Sequence, residues 1–302
     1  MRVDFVKAVH QVLQEDEGSI FVTGDLGYNA LEGIGSAFPN RFLNAGVAEQ
    51  NMMGLAAGIA LAGHRPWVYS IAPFTTYRCL EQIRNDVCLH NLPVRIVGNG
   101  GGYTYGVMGS THHAVEDLAV LKVLPNMQLF FPCSNNQVAA AVKQMSTLQS
   151  PSYLRLAISG FPTNDVPIEE NSKTLTRRYL RGNRVTVIGV GHAIQIALSA
   201  KHDLTAKDVD LFGIARFPFD LESDHALVES VRRTSRVIIL EEHYQPGSIA
   251  ESLRTALPNI ENFTFMTARY LQGQKYGSST FHLKQCGLTP ENLLQEIRRI
   301  LD

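Results

Sequence analysis

The chain has 302 residues, 45% of them hydrophobic and 18% charged, and carries a net charge of −1. This is the balance of an ordinary globular protein with a substantial core; it offers no basic footprint for nucleic acid or an anionic membrane. No apolar run approaches the ~20 residues a membrane span needs, and at ~150 residues per domain the length allows two domains.

The first residues, "MRVDFVKAVHQVLQEDEGS", read as an amphipathic helix with charges throughout rather than a signal peptide. Cys79, Cys88, Cys133 and Cys286 are scattered without CxxC pairs, so neither a zinc site nor a disulfide framework is suggested. A cytoplasmic protein is the default expectation.

Short β-branched runs then alternate with helical patterns, which predicts an α/β fold with a mainly parallel sheet. Strands are predicted over 19–25, 41–46, 65–71, 93–99, 127–133 and 152–157. Helical patterns fall at 2–14, 48–62, 75–90, 115–123 and 134–148. A polar, Pro-containing segment, "SGFPTNDVPIEENSKT", follows as the best linker. A second series begins at "RVTVIGVGHAIQIALSAK" and continues through "VDLFGIARFPFD", "RVIILEEH" and "GSIAESLRTAL". Two domains are expected, 1–165 and 183–302, joined by a linker over 166–182.

Four stretches invite a chemical reading. Gly189 and Gly191 follow a strand and precede a helix, a place where a helix N-terminus can approach phosphate. The third glycine is missing and Asp210, about 20 residues on, is weak support, so a tight βα turn is preferred. "GDLGYN" opens like a diphosphate metal motif but has Leu26 at the third position, and no metal is assigned. In "NGGGYTYGVMGSTHH" five glycines after a strand suggest a flexible loop of close approach. His112 and His113 follow, with Glu116 and Asp117 placed in the first turn of a helix; capping explains the acids but not the histidines.

The fourth stretch is "NAGVAEQNMMGLAAGIALAGHRPWV", in which Glu49 heads an Ala/Gly/Leu helix expected to be wholly buried. Burial disfavours the ionised form of such a carboxyl and suits it to exchange a proton with a ring nitrogen. A dipole-stabilised surface Glu in a first helical turn explains it equally well. The residues alone leave both readings open.

Taken together, "FLNAGVAEQNMMGLAAGIALAG", "GSTHHAVEDLAVLKVLPNMQLFFP" and "VIILEEHYQPGSIAESL" resemble transketolase, in the order of its pyrimidine-binding and C-terminal domains. The resemblance covers essentially the whole chain. It implies the C-terminal subunit of a split thiamine diphosphate enzyme, with an N-terminal partner subunit that binds the diphosphate and Mg²⁺, in an α2β2 assembly. The activity implied is transfer of a two-carbon ketol unit from a ketose or ketose phosphate to an aldose.

By the same resemblance, Glu49 hydrogen-bonds N1′ of the cofactor's pyrimidine. Phe74 and Tyr77 are the aromatic candidates to pack on that ring, and Asp25 and Leu26 lie beside the cofactor. His112 matches the active-site histidine that contacts substrate oxygens, Arg2 and Arg155 match phosphate-binding arginines, and Asn29 falls where a phosphate-binding Ser usually lies. Two positions depart from the pattern: Met108 replaces an Asp that reads the donor's C2 hydroxyl, and Gly100 replaces a phosphate-binding His. The departures suggest a non-standard sugar. The alternatives are a 2-oxo acid dehydrogenase β subunit, a deoxyxylulose phosphate synthase-like enzyme, or a non-catalytic scaffold subunit.

Overall fold

The computed structural model describes residues 1–157, 165–257, 260–270, 273 and 276–302, which form two compact units. The first comprises residues 1–101, 111–130 and 134–157; the second comprises 102–110, 131–133 and the described residues from 165 onward.

The first unit contains α1 (Arg2–Glu15), β1 (Ser19–Thr23), α2 (Glu32–Ala37), β2 (Phe42–Asn44), α3 (Glu49–Leu61) and β3 (Arg65–Ile71). It continues through α4 (Ala72–Thr75), α5 (Leu80–Gln82), β4 (Arg95–Asn99), α6 (Asp117–Lys122), β5 (Gln128–Phe130), α7 (Val138–Thr147) and β6 (Ser152–Leu156). Its strands run in the order β5-β6-β4-β3-β1-β2, every pair parallel. A central parallel strand is covered on both faces, which is why "WVYS" and "RIVGN" carry no polar alternation; all of β4 is buried.

Phe5 of α1 stacks on Tyr69 of β3 with ring centroids 5.8 Å apart, and Phe21 stacks on Phe42 at the same distance. The fully buried Arg95 donates to the carbonyls of Met145, Ser146 and Leu148 at 3.1, 3.1 and 2.8 Å. These carbonyls close α7, where a helix end otherwise leaves acceptors unsatisfied.

Two helical expectations change. Helix α3 is not wholly buried: Glu49, Met52, Met53, Ala56, Ala57 and Ala60 face inward, while Gln50, Asn51, Gly54, Leu55, Gly58 and Leu61 are exposed. The near-absence of polar residues hid this two-sidedness. The expected helix over 75–90 is instead α4, a turn over 76–79, α5, and a π-helical segment Ile83–Cys88.

The second unit contains β7 (Glu169–Asn171), β8 (Thr176–Leu180), β9 (Val185–Val190), α8 (Ile194–Leu198), α9 (Lys201–Ala206), β10 (Val209–Ile214) and β11 (Arg216–Phe217). It ends with α10 (His225–Thr234), β12 (Arg236–Tyr244), α11 (Ile249–Ala256), β13 (Asn262–Ala268), α12 (Ser279–Cys286) and α13 (Pro290–Leu301). The sheet order is β13-β12-β9-β10-β8-β7. The four strands from β13 to β10 are parallel, and β8 and β7 add on antiparallel.

Residues 166–182, expected as a linker, therefore supply two strands of this sheet. Their charges look solvated in the sequence, but partners from other strands neutralise them. Arg177 bonds Glu170 at 2.9 Å, and Arg178 forks onto Asp210 at 2.8 and 2.6 Å. The part of the Pro-containing segment over 159–164 lies outside the described residues. Among the described residues no helix is long and apolar enough to cross a membrane.

Candidate active site

Glu49 is the first residue of α3 and only 2% exposed, so its carboxyl is a core group rather than a solvated helix-end acid. It is not left alone. Arg78 donates from Nη1 to Glu49 Oε2 at 2.6 Å, and the Arg78 guanidinium lies 4.1 Å over the Phe74 ring. Phe74 in turn meets the His112 ring edge-on, with centroids 5.2 Å apart. Thr111 Oγ1 is 2.9 Å from His112 Nδ1. The structure thus joins Glu49, Phe74 and His112 through a residue the sequence reading missed. Arg78 lies 29 positions from Glu49, and no local pattern pairs them.

The backbone of Gly24 also runs against Glu49: a Cβ built there lies 3.5 Å from the Glu49 Cγ. That contact brings the adjoining Asp25–Leu26 segment to the same wall. Asp25 has a left-handed backbone, φ 56°, in which non-glycine residues are uncommon. Asn44 fixes it, accepting from the Asp25 N–H at 3.1 Å and donating to Oδ1 at 2.8 Å. Asp25, Leu26, Tyr28, Glu32 and Asn44 line an open groove.

Tyr77 is held by its hydroxyl. Its hydroxyl donates to Glu116 Oε2 at 2.9 Å and accepts from the Glu116 N–H at 3.1 Å. Burial, with Asp117 and Glu116 beside it, holds the phenol well above its usual range, so it remains a proton donor. Tyr77 ties the 76–79 turn to the start of α6, and Phe74 is the ring beside the Glu49 pair. The thiol of Cys79 donates to the Phe74 carbonyl at 3.0 Å and is pushed up to about 12, chiefly by burial and further by Glu49. It adds no second negative charge next to that acid.

Arg155 is likewise a core group. It is 7% exposed and ion-paired with Asp117 at 3.1 Å, while Tyr153 donates to the same carboxylate at 2.7 Å. Arg155 is thus engaged within the core, since a buried Asp117 without its guanidinium is an uncompensated charge. Asp117 and Glu116 are engaged by these partners rather than serving only a helix dipole, and His112 and His113 precede α6. Arg2 stands exposed at the head of α1. Asn29 is exposed with φ 59°, its N–H donating to Glu32 Oε1 at 2.7 Å. Among the described residues no contact ties Arg2 or Asn29 to Glu49.

The glycine-rich loop is anchored rather than flexible. Within the second unit, Tyr103 donates its N–H to Glu242 Oε1 at 2.6 Å and stacks on His282 at 5.0 Å. The Gly106 carbonyl lies 3.2 Å from His282 Nε2. A Cβ at Gly102 meets Glu242 Cδ at 2.4 Å, so glycine is required there by close approach. Val107 and Met108 stand exposed on this loop. In the first unit Gly100 donates its N–H to the Leu156 carbonyl at 2.9 Å.

The Gly189–Gly191 turn is a packing feature. A Cβ at Gly189 falls 2.4 Å from Ile194 Cα, and Asp210 is fully buried against Arg178 and Arg233. The tight βα turn stands, and Asp210 reads no ribose.

The first unit thus gathers a buried acid, an aromatic ring and a histidine through Arg78. Family models match both halves of the chain. Residues 1–159 match the transketolase pyrimidine-binding domain and residues 174–291 match the transketolase C-terminal domain. The chain belongs to the transketolase family.

It is 30% identical over 257 residues, 82% of this chain and 80% of that one, to an apulose-4-phosphate transketolase subunit of Phocaeicola vulgatus. It is 27% identical over 263 residues, 85% and 80% of the two chains, to the 6-deoxy-6-sulfo-D-fructose transketolase subunit SqwH of a Clostridium species. A solved structure described as a split gene transketolase, inactive β4 tetramer, matches with TM-score 0.86 at 31% identity over 99% of this chain and 97% of that one. The transketolase of Campylobacter jejuni shares the fold at TM-score 0.81 and 16% identity; 98% of this chain covers 46% of it.

Proposed function

We propose that this chain is the C-terminal subunit of a split transketolase, acting with an N-terminal partner subunit that carries the diphosphate- and Mg²⁺-binding half. The observation that carries this reading is the buried Glu49, joined through Arg78 to Phe74 and, by that ring, to His112. A carboxyl with one oxygen paired and an aromatic ring next to it fit the pyrimidine of thiamine diphosphate, which needs a proton contact and a stacking surface. When bound, thiamine diphosphate supplies the nucleophilic carbon that a ketol transfer requires. Glu49 holds the proton at a ring nitrogen, Phe74 orients the ring, Asp25 and Leu26 border it, and His112 holds or moves a proton at a substrate oxygen.

The exposed Gly54, Leu55, Gly58 and Leu61 face of α3 supports association with another subunit, in an α2β2 assembly, because such a face is ordinarily covered. The reaction is transfer of a two-carbon ketol unit from a ketose to an aldose. Exposed Met108, in place of a hydroxyl-reading acid, favours a sugar other than the common pentose phosphates. The named activities of the Phocaeicola vulgatus and Clostridium relatives, on a phosphorylated and a sulfonated sugar, favour a donor with a terminal anionic group.

The test is turnover of ketose donors by the two-subunit complex with thiamine diphosphate and Mg²⁺. Activity is expected only when the two chains are combined. Full activity of this chain alone rejects the split enzyme, and near wild-type turnover by Glu49→Ala rejects the mechanism.

A further inference from the structure

Arg78 is the one side chain among the described residues that bonds the Glu49 carboxyl. A carboxylate whose side chain is 1% exposed is unfavourable in a core unless paired. Arg78 supplies that pairing from the surface, since its own side chain is 43% exposed. Its guanidinium is restrained twice, by Oε2 of Glu49 at 2.6 Å and by the Phe74 ring 4.1 Å from its carbon. A planar cation stacked on a ring keeps its donor fork in one orientation, which a lysine ammonium does not. Phe74 and Arg78 are four positions apart across the turn that follows α4, so the stack is local and built into that turn.

We infer that Arg78 is the positioning residue of the cofactor acid: it fixes the Glu49 carboxyl by Oε2 and presents Oε1 to the pyrimidine nitrogen. The inference rests on the reading of Glu49 given above. The same guanidinium backs Phe74, whose ring edge meets His112, so one surface arginine sets the relative placement of three site groups. Arg78 acts through Glu49 and itself moves no proton.

A double-mutant cycle on cofactor affinity tests this. Calorimetric titration of thiamine diphosphate into the two-subunit complex, with Mg²⁺, compares wild type, Arg78→Met, Glu49→Gln and the double variant. Methionine keeps an unbranched stem over Phe74 and removes the charge. Arg78→Met is expected to weaken binding at least tenfold in the wild-type background and less than twofold in the Glu49→Gln background, and Arg78→Lys is expected to recover part of the loss. An equal loss in both backgrounds, or unchanged or tighter binding by Arg78→Met, overturns the role of Arg78 while leaving the proposed function intact. Absence of binding by the wild-type complex rejects the proposed function, and this inference with it.

Discussion

Tyr77 and Glu116 hold each other by two hydrogen bonds, phenol to carboxylate at 2.9 Å and backbone N–H to phenol at 3.1 Å, across 39 positions of sequence. The pair fastens the turn that carries Arg78 to the residues that follow His112. Tyr77→Phe removes both bonds and leaves the Glu116 N–H to find another partner. A loss of about 1–3 kcal/mol is expected from the urea midpoint of the isolated chain. A change within about 0.5 kcal/mol, the scatter of an ordinary surface substitution, counts against the fastening.

Arg155 separates two roles sharply. A phosphate anchor, when removed, raises KM for a phosphorylated donor and leaves the fold alone. A core partner of Asp117 and Tyr153 does the reverse. Arg155→Met is expected to destabilise the chain by about 3–5 kcal/mol, the effect of leaving one partner of a buried pair. Thermal unfolding followed by circular dichroism measures it. An unchanged midpoint with a raised KM restores the phosphate role.

Phe74 tests the stacking wall. Phe74→Ala takes away a ring contact and the surface that orients Arg78. Thiamine diphosphate binding by the two-subunit complex is expected to weaken about tenfold, from ~0.5–1.5 kcal/mol for the ring contact together with the loosened arginine. Fluorescence titration gives the affinity, and wild-type affinity argues that the ring lies outside the site.

Asp16 supplies a pH dependence. Its carboxyl is held well below the usual aspartate range, first by the Arg65 side chain and further by Ser19 and the Gly18 N–H. A depressed folded-state value means that the folded chain keeps its carboxylate while the unfolded chain takes up a proton. The stabilisation is therefore present above pH 3.8, the ordinary value, and is lost as the pH falls below it. Asp16→Asn is expected to cost about 2 kcal/mol near neutral pH, with the gap to wild type closing in acid. A gap that persists unchanged at low pH excludes the carboxylate as its source.

The central strands of the first unit were legible because a parallel strand buried on both faces leaves an apolar run that needs no knowledge of its neighbours. The helix over 75–90 was misread because Pro73 and the following turn interrupt a periodicity that continues on both sides. The strands β7 and β8 were illegible for a different reason. Their arginines belong in a core only once Glu170 pairs across from β7 and Asp210 arrives from β10. Local signals for α12 and α13 were present, since Ser278 and Thr289 cap them by accepting from Phe281 and Asn292.

By itself the sequence determined the α/β class and the family, because patterning and motifs are local and a family's motif order persists where contacts are not visible. It named Glu49, His112, Phe74, Tyr77 and Arg155 among the candidate site residues, with roles that came from the resemblance alone. Only the tertiary structure decided that Glu49 is a core acid with an arginine partner, that Arg155 and Tyr77 hold the scaffold together, and that one face of α3 is open. Each of those outcomes depends on groups far apart in the chain. Burial makes an ionised or polar group unfavourable until its partner is in place, and the partner is fixed by the fold rather than by spacing.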